Sequence, residues 1–404
     1  SGVDRYMHTL LKGLETYAHI RVYWIHLRHD MTVLFHYEER TEFYTKITIP
    51  LPQQFHEIIS QKFWINKYNE QVYRIIRHLF EEKENCIIHI HTLNLIDLAV
   101  YIKIRISCKI ITHLHCIPWK DLYNSNKNKF NELFNLQLTK EKSLTKNRNK
   151  FLTNNSEFQS YSDADLIICV TNCAKDFLQN TMSIPEWKIK VIPNGINDFN
   201  CNNSDSIKND NEIFKMLYVG VLSESKGLNY ILKAMRIVQR KGYALSLTIA
   251  GKVHPFQAVD IKKKNRDLSL NITGRIPFED LSVYYRESDA AVIASLQEQS
   301  SYVAIEMAMF GLPVITTAVD GLDEIFTDKV NALKVNTLFS KTHGLTVDTE
   351  QLAKKIILLI ENKKVRKQLS RNIRRLYETE LTLQRMMNQT EEVYKNMTGD
   401  MNYV

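Results

Sequence analysis

Two glutamates separated by seven residues could act as a pair of hydrogen-bond acceptors. They are Glu298 and Glu306 in the segment SLQEQSSYVAIEMAMFGLPVITT, and the second lies within an otherwise apolar run. One explanation is a loop charge followed by a solvent-facing helical position. The other is a site in which two carboxylates accept hydrogen bonds from ligand hydroxyls, as acidic residues do for the ribose of dinucleotides.

The residues between the two glutamates predict a helix start that suits an anion. We expect the strand at 290–296 to end just before Glu298, followed by a turn and a helix over about 301–310. Ser300 and Ser301 would then lie where the backbone N–H groups of the first turn are unpaired and the helix dipole is positive. The segment therefore predicts phosphate binding between the two carboxylates.

Short apolar strands alternate with helices along the whole chain. We expect strands at 19–27, 86–92, 109–115, 165–171 and 190–196 in the first half, and at 214–222, 245–251, 270–276, 290–296 and 313–317 in the second. This alternation predicts an α/β protein with two Rossmann-like, doubly wound parallel-sheet domains. Ligands of such sheets bind beyond the carboxyl ends of the strands, so we expect the site in the interdomain cleft.

The domain boundaries follow from breaks in this alternation. We expect one domain over 1–192, a second over 193–380, and a helical segment over 381–404 that crosses back to the first domain. An insertion rich in Asn and Lys, 119–161, interrupts the first domain, and we expect it to be helical in its first part and mobile after it. The chain opens with a turn and a helix, SGVDRYMHTLLKGL, so we expect the first strand of the amino-terminal sheet to be missing.

Composition excludes several functional classes. A chain of 404 residues with 44% hydrophobic and 24% charged residues is typical of a soluble globular protein. The net charge of +8 comes without a nucleic-acid-binding motif, so we expect no nucleic-acid partner. The six cysteines are sparse, which indicates reduced thiols in the cytoplasm. No apolar run reaches about 18 residues, so membrane contact would be peripheral, at the inner face and through the basic run at 140–150.

Four histidines form two His-x-His pairs near the ends of two expected strands. His89 and His91 form the first pair, and His113 and His115 form the second. Alternate residues of a strand share a face, so each pair lies on one side of its strand. A polar wall of the cleft is one interpretation, and a metal site is another if the two strands are neighbours. The absence of an evident carboxylate partner favours the first interpretation.

The ordered motifs of the chain resemble one enzyme family. The segments IIHIHT, THLHCIP, DLIICVT, VIPNGI, LYVGVLSESKGL, ITGRI and SDAAVIASLQE occur in the family's order, and the glutamate segment is the most specific of them. They resemble retaining, nucleotide-sugar-dependent glycosyltransferases of the GT-B fold, family four, of the bacterial type. The resemblance covers nearly the whole chain outside the insertion at 119–161.

This resemblance implies roles for three residues at the reacting centre. Lys226 would neutralise the diphosphate, Glu298 would bind hydroxyls of the donor sugar, and His115 would approach that sugar from the amino-terminal, acceptor-side domain. No metal or other cofactor would be required, because the lysine and helix amides stabilise the leaving diphosphate. The acceptor, which could be a glycan, a lipid-linked sugar or a peptide, is unknown.

The resemblance also implies a set of donor-binding residues. Gly2 and Gly220 would form close turns, Asn194 would mark the interdomain crossing, and Glu306 would bind the ribose. The segment that frames the base would be Gly274, Arg275 and Ile276. The amides that hold sugar and diphosphate oxygens would be those of Ser300, Ser301, Tyr302 and Val303.

One position departs from the family pattern. An arginine usually lies five residues before the lysine, and Val221 occupies that position here. Losing one of two phosphate-binding cations costs about 2–4 kcal/mol of transition-state stabilisation. Arg5 or Arg275 could substitute. The alternatives to a transferase are a nucleotide-sugar epimerase or phosphorylase, and a non-catalytic scaffold subunit of the same fold.

Overall fold

The computed structural model of the chain describes residues 2–28, 33–51, 62–80, 85–117, 156–180, 182–200, 213–340 and 344–399. Its helices are α1 Gly2–Leu14, α2 Lys62–Ile76, α3 Ile96–Lys103, α4 Ser156–Asp163, α5 Asn172–Asn180, α6 Leu228–Arg240, α7 Pro255–Lys264, α8 Phe278–Glu287, α9 Tyr302–Met309, α10 Asp320–Ile325, α11 Thr349–Glu361, α12 Lys363–Glu380 and α13 Leu383–Thr398. Its strands are β1 Val22–Arg28, β2 Tyr37–Arg40, β3 Tyr44–Pro50, β4 Cys86–Ile90, β5 Cys108–Leu114, β6 Leu166–Cys169, β7 Ile189–Val191, β8 Phe214–Val219, β9 Leu245–Ala250, β10 Ser269–Gly274, β11 Ala290–Ile293, β12 Val314–Thr317, β13 Leu333–Val335, β14 Thr337–Ser340 and β15 Gly344–Val347.

The carboxyl-terminal domain contains one continuous parallel sheet. Its strand order is β10-β9-β8-β11-β12-β13, and every neighbouring pair is parallel. Counted from β8, this is the 3-2-1-4-5-6 order of a doubly wound sheet, in which the order reverses between β8 and β11. The sequence prediction of a Rossmann-like parallel sheet is therefore confirmed here, and the reversal point indicates where a ligand would bind.

The amino-terminal strands are divided between two sheets in the described part of the chain. The parallel strands β4, β5, β6 and β7 form one sheet, and β3 pairs with β1 in parallel and with β2 in antiparallel orientation in the other. Ile25 of β1, Ile47 of β3 and Ile88 of β4 contribute to one apolar cluster together with α2 and α3. The two sheets therefore share a core although their strands are not hydrogen-bonded to one another.

Two chain crossings connect the domains side by side. Ile196 donates its N–H to the Leu381 carbonyl, and Leu383 donates its N–H to the Ile196 carbonyl, at 3.1 and 2.9 Å. Gly195 is needed at this crossing, because a Cβ there would lie 2.2 Å from the Thr382 carbonyl oxygen. After the second crossing, α13 packs on α1 and β4 of the amino-terminal domain.

The predicted polar insertion at 119–161 is corrected at its end. Residues 156–163 form helix α4, and Ser160 and Tyr161 are fully buried in the amino-terminal domain. The Ser160 hydroxyl donates to the Leu93 carbonyl at 2.8 Å, so this end of the segment belongs to the packed core. The remainder of the insertion, with the basic run at 140–150, and the polar junction 201–212 lie outside the described residues.

None of the helices in the described ranges combines the length and the apolar character needed to cross a membrane. Two kinds of element were absent from the sequence prediction. The strands β2 and β3 and the helix α2 lie between 28 and 86, the strands β13, β14 and β15 follow α10, and the short helices α7 and α10 follow strand ends.

Candidate functional site

Lys226 and Glu298 meet where the strand order reverses. Lys226 lies in the loop after β8, Glu298 lies in the loop after β11, and the ammonium group donates to Oε2 of the carboxylate in an ion pair. Their side chains are 33% and 16% exposed, so the pair is partly open to solvent. Lys226, predicted to contact the diphosphate, and Glu298, predicted to contact the sugar, are therefore direct neighbours. A cation and a hydrogen-bond acceptor this close together could contact adjacent groups of one small ligand.

A glycine allows the two loops to approach so closely. Gly227 has a φ of +75°, and a Cβ there would lie 1.9 Å from the Ala294 carbonyl oxygen. Leu296 also donates its N–H to the Ser225 carbonyl at 2.8 Å, which connects the loops directly. Any larger residue at 227 would push the lysine loop away from the carboxylate loop, because a side chain cannot fit against this carbonyl.

Helix α9 presents its amino terminus beside this ion pair. Ser301 caps it, with its hydroxyl oxygen accepting a hydrogen bond from Ala304 N–H at 3.3 Å. The N–H groups of Tyr302 and Val303 belong to the first helical turn, where no intrahelical acceptor exists. The amide donors and the positive end of the helix dipole therefore begin a few residues after Glu298, the partner of Lys226, as suits anion binding.

An arginine from α12 stabilises the other end of α9. The Arg374 guanidinium donates to the Met309 carbonyl and forms an ion pair with Asp198. A cation at the carboxyl end of a helix satisfies a terminal carbonyl and interacts favourably with the dipole. This contact fixes the axis of the helix that carries the second glutamate.

Glu306 is buried and is engaged from both domains. Its carboxylate, 1% exposed, forms an ion pair with Arg5 of α1 and accepts a hydrogen bond from the hydroxyl of Tyr285. Burial raises the pKa of this carboxyl, and the Arg5 charge and the Tyr285 hydroxyl partly offset that effect. Arg5 also lies over the ring of Tyr302, 4.9 Å from its centre. The predicted ribose contact of Glu306 stays a prediction, since Arg5 occupies the carboxylate in this structure.

Two further contacts close the cleft beyond Glu298. The Thr171 hydroxyl, at the end of the loop after β6, donates to Oε1 of Gln299 at 3.2 Å, and both residues are buried. Glu324 of α10 accepts hydrogen bonds from the N–H groups of Asn172 and Cys173, at 2.9 and 3.1 Å, and so caps α5 of the opposite domain. The loop with the first glutamate is thus held between both domains.

The ends of β8, β9 and β10 carry glycines, each followed by an exposed residue. Gly251 must lack a side chain, because a Cβ would lie 1.9 Å from the Gly220 carbonyl oxygen. Val221, which follows Gly220, is 57% exposed, and Lys252 and Arg275 at the next two strand ends are also exposed. Positive charge is therefore present at the ends of β9 and β10 and not directly after β8.

The predicted histidine contact lies within a cluster of aromatic rings. His115 stacks on His113, with ring centres 4.3 Å apart, and packs edge-on against Tyr6 at 4.7 Å. Burial lowers the pKa of His115 to about 4 and that of His89 to about 3, so both rings are neutral near pH 7. A neutral imidazole can donate one hydrogen bond and accept another, as a sugar hydroxyl contact requires.

The structure brings some predicted residues together and leaves others apart. Gly220 directly follows β8, the strand before the Lys226 loop, and Ser300, Ser301, Tyr302 and Val303 follow Glu298 closely in the chain and begin α9. Gly274, Arg275 and Ile276 lie at the end of β10, two strands away. Gly2 begins α1, and Asn194 is buried at the domain crossing, where its Oδ1 has no hydrogen-bond partner among the described residues.

Sequence reasoning missed three residues of this region. Tyr285 donates a hydrogen bond to Glu306 of the motif segment, and Gln299 lies within that segment and accepts one from Thr171. Lys252 stands at the strand end beside Gly220 and Val221. Lys252 had a visible signal, since it directly follows a glycine at the end of an apolar strand, as Arg275 does. The tyrosine and the glutamine had none, because neither lies in a recognisable spacing relative to its partner.

Two family models match the chain. The one described as Glycosyltransferase Family 4 matches residues 1–198, and the one described as Glycosyl transferases group 1 matches residues 202–376. An uncharacterized glycosyltransferase from Methanocaldococcus jannaschii is 30% identical over 200 residues, which are 44% of this chain and 49% of that protein. The chain thus spans about half the length of the first curated relatives it matches.

Solved structures share the fold over both domains. Sucrose-phosphate synthase from Thermosynechococcus elongatus has a TM-score of 0.71 at 18% identity, covering 99% of this chain and 94% of that chain. HepE of Anabaena in complex with UDP-glucose has a TM-score of 0.56 at 15% identity, covering 77% and 78%. The fold is the GT-B architecture, and the two family models together span both domains. The chain therefore belongs to glycosyltransferase family 4, of the glycosyl transferases group 1.

Proposed function

We propose that this protein is a retaining glycosyltransferase that transfers a sugar from a nucleotide-diphosphate sugar to an acceptor hydroxyl. The observation that carries the proposal is the Lys226–Glu298 pair beside the amino terminus of α9, at the point where the strand order reverses. A cation, a carboxylate and helix amides within one loop cluster suit a ligand that joins a sugar to a diphosphate.

The proposed reaction develops negative charge at the diphosphate. The bond between the anomeric carbon and the phosphate oxygen breaks, and its electron pair leaves with the diphosphate. The acceptor oxygen bonds to the same face of that carbon, and its proton passes to the leaving phosphate oxygen. Lys226 and the amides of Tyr302 and Val303 would stabilise the leaving group, so the reaction would need no divalent metal. Lys252 and Arg275 would add positive potential from the neighbouring strand ends.

A donor screen tests this function before any acceptor is known. We expect one of UDP, GDP or ADP to raise the melting temperature, and we would assay the matching sugar nucleotides for slow hydrolysis, beginning with UDP-glucose because HepE was solved with it. Lys226→Ala should lower donor hydrolysis, whereas Lys233→Ala, an exposed lysine on α6, should not. Equal hydrolysis by the Lys226→Ala variant and the parent would contradict the proposal.

A non-catalytic donor-binding or scaffold subunit is the second candidate, favoured by Val221. Its side chain is 57% exposed at the strand end where the family pattern has an arginine. Calorimetry separates the two candidates. Binding of a nucleotide with slow hydrolysis of its sugar supports the enzyme, and absence of binding to every nucleotide supports the scaffold.

The acceptor side is proposed to lie near the membrane surface. The basic run at 140–150, outside the described residues, carries five cations and one acidic residue. Such runs bind anionic headgroups by electrostatic attraction that salt screens. Co-sedimentation with anionic but not zwitterionic vesicles, reversed by salt, is the expected result, and equal sedimentation with both would contradict it.

A further inference from the structure

Four histidines of the amino-terminal domain share one face of two adjacent strands. β4 and β5 are parallel neighbours, and the register places His89 opposite Ile111. Since alternate residues of a strand share a face, His89 and His91 project to the same side as His113 and His115. The sequence alone could not establish that the two His-x-His pairs meet, because nothing in it shows which strands are adjacent.

The four rings form a compact group of nitrogens. Nε2 of His89 lies 3.2 Å from Nδ1 of His113, and Nδ1 of His91 lies 3.2 Å from Nε2 of His115. One ring nitrogen from each of His89, His91 and His113 falls within a group whose members lie within 4.8 Å of one another. Two nitrogens bound to one tetrahedral zinc at about 2.0–2.1 Å lie about 3.3 Å apart. The paired nitrogens already have nearly that separation.

The surroundings of the cluster suit ligation. The Tyr394 hydroxyl lies 2.8 Å from Nδ1 of His89 and so orients the ring with Nε2 toward His113. Outer partners of this kind are usual for metal-binding imidazoles. Nε2 of His113, a residue that is 2% exposed, has no hydrogen-bond partner among the described residues.

The cluster also has a route for entry and a defined metal preference. β4 is an edge strand of its sheet in the described part of the chain, and His89, His91 and His115 are only partly buried. Imidazole nitrogens are good ligands for zinc, copper, cobalt and nickel, and poor ones for magnesium and calcium. The chemistry therefore points to a transition-metal dication.

We propose that His89, His91 and His113 bind one zinc ion or a transition-metal dication of similar chemistry. This site lies in the amino-terminal domain and does not depend on the proposed transfer reaction. Bound metal would fix the carboxyl ends of β4 and β5 relative to each other. It would thereby set the position of His115, the residue predicted to approach the donor sugar.

Metal titration of the full chain tests the proposal. The protein is prepared without a histidine tag, treated with a chelator and titrated with Zn²⁺ by calorimetry and with Co²⁺ by visible absorption. We expect one equivalent to bind with a dissociation constant below about 1 μM, with the intense d–d bands of tetrahedral Co²⁺ and a raised melting temperature. Absence of saturable binding at 100 μM metal would overturn the proposal.

A matched pair of variants locates the site. His91→Asn removes a ligand that is only partly buried, so the variant should fold, which circular dichroism checks. We expect it to bind Zn²⁺ at least about 100-fold more weakly and to lose the metal-dependent rise in melting temperature. His254→Asn, which changes an exposed histidine of the other domain, should bind like the parent. Equal affinity of His91→Asn and the parent would show that metal binds elsewhere and would refute the assignment.

Discussion

The two glutamates of one motif occupy opposite environments. Glu298 pairs with Lys226 from its own domain, and its side chain is 16% exposed. Glu306, eight positions later, is 1% exposed and pairs with Arg5 from the other domain, with Tyr285 as a second partner. The first pair is complete within one domain, whereas the second exists only while the domains are in contact.

This difference separates two tasks. The Lys226–Glu298 pair can be organised by the carboxyl-terminal domain alone, through the close approach of its two loops. The Arg5–Glu306 pair connects ligand binding in the cleft to the position of α1. A ribose that bound Glu306 would have to displace the Arg5 guanidinium or share the carboxylate with it. We therefore expect substitutions at the first pair to affect turnover and substitutions at the second to affect domain stability.

Lys226→Ala should have the largest effect. It removes the cation nearest to the first glutamate and to the α9 amides, so donor hydrolysis should fall by about 10²–10³-fold. Stability should change little, because the pair is partly exposed and such pairs contribute about 0–1 kcal/mol. Initial rates at saturating sugar nucleotide, beside a urea unfolding curve, measure both. A variant that loses stability and keeps its rate would reverse the comparison.

Arg5→Ala should lower the free energy of unfolding by about 2–3 kcal/mol. Removing one partner of a fully buried ion pair usually costs about 3–5 kcal/mol. Because the Arg5 side chain is 36% exposed, we expect a cost at or just below the lower end of that range. Urea unfolding provides the measurement. Lys12→Ala, an exposed substitution on the same helix, is the control and should change little. Saturating nucleotide should then stabilise Arg5→Ala more than the parent if ribose hydroxyls replace the guanidinium at Glu306.

The deficit of Arg5→Ala should depend on pH. Burial already raises the pKa of Glu306, and Arg5 opposes that effect, so removing Arg5 raises the pKa further. The lost stability is that of an unpaired buried carboxylate, which is present at neutral pH and disappears when the group is protonated. The difference between variant and parent should therefore shrink as the pH falls from 7 toward 5. A deficit that is constant over this range would place its origin in packing instead.

The carboxyl-terminal domain could be predicted well from the sequence. Its strands are short apolar runs, three of which end at a glycine, and α6 has a clear amphipathic period, so β8, β9 and β11 lie within the expected ranges. The glycines at 227 and 251 also mark close backbone approaches that no other residue permits. Local pattern and tertiary contact agree there, which is the condition under which sequence reading succeeds.

The amino-terminal domain and the cross-domain contacts could not be predicted in the same way. The pairing of β1 with β3 in a separate sheet depends on contacts between segments that no local pattern specifies. Arg5 and Glu306 are 301 positions apart, and their pairing follows from domain packing alone. Sequence motifs singled out the second glutamate but carried no information about the side chain that faces it.

Tyr285→Phe should have a smaller effect than Arg5→Ala. It removes one hydrogen bond to the buried Glu306 carboxylate and keeps the ring, which stacks on Phe310 with centres 5.0 Å apart. A hydrogen bond to a charged group contributes about 1.5–3 kcal/mol, and the retained ion pair with Arg5 favours the low end. Tyr284→Phe, at the neighbouring partly buried position, is the control. Equal unfolding curves for Tyr285→Phe and the parent would show that Arg5 alone holds Glu306.

Val221→Arg should have the smallest effect and the opposite sign. The position is 57% exposed at the end of β8, so a longer side chain fits without repacking. If the diphosphate lies beside Lys226, the new cation should tighten UDP binding by up to about tenfold and leave uridine binding unchanged, because only UDP carries the charge. Val221→Gln, with similar reach and no charge, separates electrostatics from bulk.

A gain for UDP accompanied by faster donor hydrolysis would identify Val221 as a weakened phosphate contact in an enzyme. A gain in binding with no hydrolysis in either protein would favour the non-catalytic donor-binding subunit, and no gain at all would move the diphosphate away from β8.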